Sequence, residues 1–542
     1  MVRVKECSSG RATSVAQRQL RWVVMLAAIA GFTIMIPWYF SPFFGHDQIE
    51  YLVEARRWLD GAQIYGPRIV EDNLPLIIWF SAIPVKIAAW LHRTGSIHAL
   101  VVLIFRLLVL ILIAASVAWC LRLVRRSGLL KNGLAVLFFG LALVAVFFRI
   151  PPYDFGQREH LLMLALTPYV FGLVLRIGDG VSWSERLALG LVAGVSMWFK
   201  PQVVIIPLVL QTAVCVRERS LRPLLRPEFL GFVIGCFALL GLVVVTTPLY
   251  FHWIPILEDT RWAFADGTPW AMARQQAVPV LVMLALMVAA YALRARMRDW
   301  TVTALLAVCG IAGSVVYDIQ RASWPYRLYP AEVLMGLAIV WFALDAGGAW
   351  LQRLNSNDRL AHRAALVLSG ALVLGLVVVA VHPKLIMHRR EVPRTDLEAY
   401  FAAIPPGSTV WVMSPAVMPL GVAYRHDLTW GSRFAHLWMV PALIQSKLGP
   451  FNGEQTFKKL SPARVQELAR LQQTDVAEDL AAWQPTVVAV QQCTTYAICE
   501  GIGPRNVDLL AWFMQSDEFR QQWAHYRKDR AGDGFVFYRR VD

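Results

Sequence analysis

The 542-residue chain is 57% apolar and only 16% charged, where an average soluble domain is about 25% charged, and its mean hydropathy is +0.50. That excludes a wholly soluble protein and points to an α-helical polytopic membrane protein. The net charge of +15 is not clustered on a soluble face; Lys and Arg gather in short loops between apolar runs, the pattern that membrane topology imposes, so no nucleic-acid partner is expected.

Arg3, Lys5, Arg11, Arg18 and Arg21 precede an apolar run over 22–40. The run is long and ends in Pro-Trp-Tyr-Phe-Ser-Pro without a small-x-small cleavage site, which predicts a first transmembrane helix rather than a signal peptide. Further spans are predicted over 98–121, 130–148, 161–175, 187–199, 201–216, 229–249, 276–293, 300–317, 330–346 and 364–382, each approaching the about 20 residues that a bilayer needs. About eleven spans thus fill a transmembrane domain over 22–382, and 383–542 is a separate soluble tail.

Orientation follows from charge. Loops on the side of residues 1–21 hold about 21 Lys and Arg in about 78 residues, against about 12 in about 109 on the other side. The N-terminal 1–21 is therefore expected in the cytoplasm. The tail, the first outer loop 41–97, and the loops at 149–160, near 200, 250–275 and 318–329 are expected outside. Residues 74–91 are apolar but interrupted by Pro75, Pro84 and Lys86, which predicts an interfacial helix rather than a span. No internal repeat of useful length appears, which weakens a transporter built on inverted repeats.

Carboxylates, aromatics and prolines concentrate in the outer loops. The first, HDQIEYLVEARRWLDGAQIYGPRIVEDNLPLIIWF over His46–Phe80, opens with an amphipathic helix that carries Asp47 at its N-terminal end, where the dipole favours a carboxylate. Asp47 could simply cap that helix. The second loop, PPYDFGQREH, holds Asp154 and delivers Arg158, Glu159 and His160 together into the next span. Lys200-Pro201-Gln202 breaks a run of apolar residues at an outer turn, and YDIQRASWPYRLYP over Tyr317–Pro330 sets Asp318, Arg321, Trp324, Tyr326 and Arg327 in another. Arg106 near an outer span end, Lys200 and the aromatic–arginine turn all also suit ordinary interfacial anchoring.

Asp47, Tyr51, Ala55-Arg56, Leu59, Gly61, Tyr65 and Asn73-Leu74-Pro75-Leu76 resemble the first outer loop of GT-C glycosyltransferases, such as the protein O-mannosyltransferases and the lipid A aminoarabinose transferase. Two positions depart from the family pattern: the acidic pair is Asp47-Gln48, and Leu74 stands where a proline is usual. The resemblance implies that Asp47 is the catalytic base, with Glu50 as a substitute partner one helical turn on and Asp154 as the second outer-loop acid. It further implies that Lys200 meets the phosphate of a polyprenyl-phosphate sugar donor, helped by Arg158, Arg321 and Arg327. Tyr51, Arg56, Tyr65, Arg106, Glu159, His160, Trp324 and Tyr326 are the implied substrate-binding residues. The expected reaction moves the sugar, with inversion, to a glycolipid, glycan or protein acceptor in the cell envelope, at the outer face of the cytoplasmic membrane among membrane lipids. No cofactor is implied, and a divalent metal stays open. The alternatives are a lipid or glycan flippase and a non-catalytic scaffold of the same fold.

The tail alternates candidate helices (396–404, 462–482, 506–526) with β-rich runs at Ser408–Met413, Thr486–Val490 and Gly534–Tyr538, which predicts a small α/β domain. Tyr424-Arg425-His426-Asp427 and Ser432-Arg433 are expected to be solvated loops. Of the seven cysteines, Cys493 and Cys499 are the pair expected to form a disulfide, given an outside tail.

Overall fold

The computed structural model describes residues 39, 46–92, 94–130, 133–177, 180–265, 268–322, 324–353, 396–451 and 457–541. The expected N-terminal segment 1–21 and, Tyr39 apart, the expected spans over 22–40 and 364–382 lie outside the described residues.

The other expected spans all fall in helices. In chain order the helical region comprises α1 His46–Leu59, α2 Leu76–Leu91, α3 Ile97–Ser127, α4 Gly133–Phe147, α5 Arg158–Val174, α6 Trp183–Ser196, α7 Ile205–Glu218, α8 Pro227–Thr246, α9 Tyr250–Thr260, α10 Pro269–Ala292, α11 Trp300–Gln320 and α12 Tyr329–Arg353. Among the described residues, six helices are long and apolar enough to cross a membrane: Ile97–Ser127, Pro201–Glu218, Pro227–Thr246, Pro269–Ala292, Trp300–Gln320 and Pro325–Gly347. Two of the eleven expected spans lie outside the described residues, and those over 130–148, 161–175 and 187–199 fall in the shorter helices α4, α5 and α6, of 15, 17 and 14 residues. α5 is buried along nearly its whole length among α3, α6, α7 and α12.

Close helix packing uses glycine. Gly190 and Gly194 of α6 face Gly231 and Gly235 of α8, and a Cβ on Gly235 would lie 2.6 Å from the Leu191 carbonyl. These two G-x-x-x-G runs let the backbones touch, the device by which apolar helices associate where water provides no drive. Arg186 locks the same pair through both Glu228 oxygens at 2.7 and 2.9 Å. The interrupted segment at 74–91 forms α2, with Pro84 inside it and Ile83, Ile87, Trp90 and Leu91 exposed.

The tail is an α/β domain. Its elements are α13 Asp396–Ala402, β1 Thr409–Met413, α14 Met418–Arg425, β2 Thr429–Trp430, α15 Val440–Leu448, α16 Pro462–Trp483, β3 Val487–Gln491, α17 Leu509–Phe513, α18 Asp517–Trp523, β4 Tyr526–Ala531 and β5 Phe535–Arg540. One sheet orders them β2-β1-β3-β5-β4; β1 runs parallel to β2 and β3, while β5 is antiparallel to β3 and β4. The expected helix over 506–526 is instead two short helices that end at β4. Cys493 and Cys499 are joined, with a Cα separation of 5.2 Å.

The polar clusters expected to be solvated are the seams of the molecule. Arg433 is buried and binds Asp475, Glu478 and Asp479 at 2.8, 2.7 and 2.6 Å, because those carboxylates share one face of α16 at helical spacing. Asp427 accepts from Ser96 at 2.5 Å, and Tyr424 stacks on His98 at 4.0 Å. Arg57 of α1 donates to the Trp430 and Ser432 carbonyls at 2.6 and 2.7 Å, and Asp259 of α9 holds Lys458 and Arg464, each at 2.8 Å. The tail is thereby seated on α1, α9 and the start of α3.

Candidate functional site

A cavity of about 650 Å³ lies between the tail and the helix ends beneath it. Its volume is in the range of small-molecule sites, roughly 300–1,000 Å³. α1 forms one wall, and its sequence explains its placement: Ile49, Leu52 and Ala55 are buried, Asp47 stands in the first turn, and Arg56 and Arg57 stand in the last, matching the helix dipole at both ends.

Asp47 faces the cavity. Its carboxylate accepts from the Gln157 side chain at 2.9 Å and lies 4.0 Å from the Arg158 guanidinium. Arg158 also donates to the Asn73 side chain and lies over the Tyr51 ring at 5.7 Å. Asn73 donates to the Tyr51 hydroxyl at 3.4 Å, and its carbonyl accepts from Tyr65. Tyr65 holds the left-handed backbone at φ 64°, a conformation that costs a non-glycine residue about 1–2 kcal/mol and that the surrounding bonds maintain.

One end of the cavity is cationic. Arg158, Lys200, Arg321 and Arg327 line it, with Trp324 between them. Arg327 stacks on Trp324 at 4.4 Å and donates to the Gln320 carbonyl at 3.3 Å. Arg321 caps α11 at φ 48°, the left-handed position that helices usually give to glycine. Lys200 sits between two 3-10 turns, Met197–Phe199 and Pro201–Val204. Lys200 is buried, ion-paired to Glu159, and 5.7 Å from the Tyr326 ring, so its charge is already balanced within the protein.

Behind α1 lies an acidic cluster. Glu50 and Glu54, one turn apart, and Glu71 bring carboxylate oxygens within 4.8 Å of one another, all buried. Burial first raises all three above the usual carboxylate range; the Glu71 charge then adds to Glu50 and Glu54, and the Asp72 charge adds to Glu71, which is pushed to about 8. Such a group holds protons or could hold a divalent cation. Burial also works against the charge of neighbouring Asp72, but Arg261 at 3.0 Å, a hydrogen bond with Glu71, and the His436 and Arg158 charges together outweigh it and keep Asp72 below its ordinary value.

The other end of the cavity is roofed by the expected outer loop 250–275 and by the tail. The 3-10 turn Arg261–Phe264 follows α9 and contributes Trp262 and Phe264, while the tail contributes Val417, His436 and Glu500. His436 is 3.9 Å from Glu50 and edge-on to Phe264 at 6.0 Å. Glu500 follows the disulfide, and Gln445 of α15 ties that loop to the turn by donating to the carbonyls of Gly501 at 2.6 Å and Ala263 at 3.3 Å.

The structure thus places Asp47, Glu50, Arg158, Lys200, Arg321, Trp324 and Arg327 around one cavity, with Tyr51, Tyr65, Glu159 and Tyr326 immediately behind them. Four expected residues are elsewhere. Arg56 is half-exposed and pairs with Asp60 at 3.0 Å. Arg106 and Asp154 are buried outside the cavity lining. His160 packs between Phe155 and Tyr329 and accepts from the Gly156 amide at 3.1 Å. From the second loop it is Gln157, next to Arg158, that reaches Asp47. No protein-family model matches the chain, and no curated protein matches it.

Proposed function

We propose that the protein is a membrane glycosyltransferase that moves a sugar from a polyprenyl-phosphate donor to an acceptor on the outer face of the cytoplasmic membrane. The observation that carries this reading is one cavity holding a carboxylate, Asp47, beside a set of guanidinium groups, at the ends of apolar helices. The exposed faces of those helices suit lipid: on α10, Trp270, Val278, Leu281 and Val288 are all largely exposed. A lipid-linked donor would hold its chain among such faces and raise its phosphate into the cavity.

The step needs a base and an anion site. As the acceptor oxygen attacks the anomeric carbon, Asp47 takes the acceptor proton, the bond from that carbon to the phosphate oxygen breaks, and polyprenyl monophosphate leaves. One displacement inverts the anomeric centre. Gln157 and Arg158 orient Asp47, which then acts as a general base worth about 10²- to 10⁴-fold. Arg158, Arg321 and Arg327 suit the leaving phosphate, since guanidinium groups bind phosphate through paired, charge-assisted hydrogen bonds. Lys200, neutralised by Glu159, contributes less net charge than its position in the sequence suggests. A flippase would need no base beside the anion site.

The test is sugar transfer by the full chain in reconstituted membranes, guided by mass spectrometry of surface glycolipids from cells with and without the protein. Loss of a glycolipid species on deletion, restored by wild type and not by Asp47→Asn, is the expected result; restoration by Asp47→Asn would sink the reading.

A further inference from the structure

The two ends of the cavity differ in chemistry. Around Arg158, Arg321 and Arg327 the wall is cationic and aromatic, suited to phosphate. Toward the tail the wall includes Trp262 and Phe264 on the 3-10 turn, Arg261 of the same turn with its charge balanced by Asp72 at 3.0 Å, His436 and Glu500 from the tail, and Glu50 from α1. Asp47 and Glu50 lie one helical turn apart, so α1 presents both carboxyl groups to the cavity from one face. Asp47 is 4.0 Å from Arg158, and Glu50 is 3.9 Å from His436.

Resting on the glycosyltransferase reading, we propose that this tail-side end is a carbohydrate subsite that receives the acceptor as a sugar, rather than as a peptide side chain or a simple lipid alcohol. A pyranose has C–H groups on its ring faces, which pack against aromatic rings, and a rim of hydroxyls, which bond to carboxylates and imidazole. The wall supplies both kinds of partner side by side. A site built to hydrogen-bond hydroxyls discriminates strongly against ligands lacking them, because its polar groups are then left unpaired. A lipid alcohol offers one hydroxyl and no ring face for Trp262 and Phe264.

The wall is also held in place for this role. Trp262 donates its indole N–H to the Asp259 carbonyl at 2.7 Å and packs edge-on against Phe457 at 5.3 Å. Phe264 is fixed by His436 and by close approach to Gly501, where a Cβ would lie 3.3 Å from its ring. Gly501 holds φ +67°, so its lack of a side chain answers both the backbone conformation and the contact.

The experiment uses the full chain in lipid nanodiscs and saturation-transfer NMR, with methyl hexosides and methyl pentosides, a Ser/Thr tripeptide and undecaprenyl phosphate as separate probes. At least one methyl glycoside is expected to receive saturation at its ring C–H protons. Its affinity should fall roughly tenfold in His436→Gln, which loses the imidazole contact with a hydroxyl, and in Trp262→Ala, which loses the ring against the sugar face, while undecaprenyl phosphate binding is unchanged. His436→Gln preserves size and polarity, so it remains decisive if Trp262→Ala misfolds. No glycoside signal beside intact undecaprenyl phosphate binding would overturn the subsite and leave the transferase reading standing. Tripeptide binding abolished by the same variants would overturn it in favour of a protein acceptor. Failure of undecaprenyl phosphate itself to bind would instead remove the transferase reading on which the subsite rests.

Discussion

The cationic end and the tail-side end of the cavity are built by opposite strategies. The first comes from residues next to turns in the helical region, where buried charges are costly and each is therefore held: Arg158 by Asn73 and Asp47, Lys200 by Glu159, Arg327 by Trp324 and the Gln320 carbonyl. The second is shared: Trp262, Phe264 and Glu50 come from the helical region, and His436 and Glu500 come from loops of the tail, set in position by ion pairs and a disulfide at its margins. The lesson is that the anion site is intrinsic to the helices, whereas the opposite wall is complete only while the tail is docked. Variants at the first end should therefore change donor binding or chemistry, and variants at the second should leave the donor alone.

Asp47 stands between the ends and should show the largest effect. Asp47→Asn keeps the acceptor oxygen for Gln157 but cannot take a proton, so turnover should fall by roughly 10² or more with undecaprenyl phosphate binding retained. Asn caps a helix about as well as Asp; near-normal transfer would therefore return Asp47 to a structural role and dissolve the division of labour between the ends.

Lys200 sharpens the cationic end. At an outer turn it reads as a surface cation, yet it is buried against Glu159. Removing one partner of a buried pair leaves the other uncompensated and costs about 3–5 kcal/mol, so Lys200→Met should lower the melting temperature of the purified protein far more than an exposed-lysine change would. Adding Glu159→Gln to it should recover much of the loss. A single variant as stable as wild type would show that the pair does not form and would return Lys200 to the phosphate.

What was legible in the sequence follows the same division. Asp47, Tyr51, Tyr65 and Asn73 lie within one loop at spacings that can be read directly, and the charged proline turn at Lys200 stands out between apolar runs. His436 and Glu500 had no such signal, because only tertiary docking brings them to Glu50, hundreds of residues earlier in the chain. Other misses had a usable sign. Asp475, Glu478 and Asp479 repeat at helical spacing, enough to suggest a buried arginine partner rather than a solvated Arg433, and the paired G-x-x-x-G runs of α6 and α8 announce their contact.

The disulfide tests the tail-side end. Closing the loop between Cys493 and Cys499 should stabilise the tail by about 2 kcal/mol through chain entropy. Replacing both cysteines by serine should lower the melting temperature modestly and weaken glycoside binding through Glu500 and Gly501, with undecaprenyl phosphate binding unaltered. Equal losses for both ligands would show that the two ends are not independent.

The smallest effect concerns the acidic cluster behind α1, which touches the cavity through Glu50. Glu50, Glu54 and Glu71 retain protons in the folded protein at pH values where unfolded carboxyl groups, near about 4.3, have released them. The folded state then binds more protons than the unfolded one, and stability falls as pH rises. The cluster's contribution is complete below the unfolded value and is lost as pH climbs through about 8, where Glu71 titrates. Glu54→Gln removes one titrating group, so the decline in melting temperature between pH 5 and 8 should flatten while turnover changes little. A slope identical to wild type would mean that these carboxyls ionise without cost in the folded state, as they would if a bound cation balanced them, and melting curves with and without a chelator would then separate a proton-filled cluster from a metal-filled one.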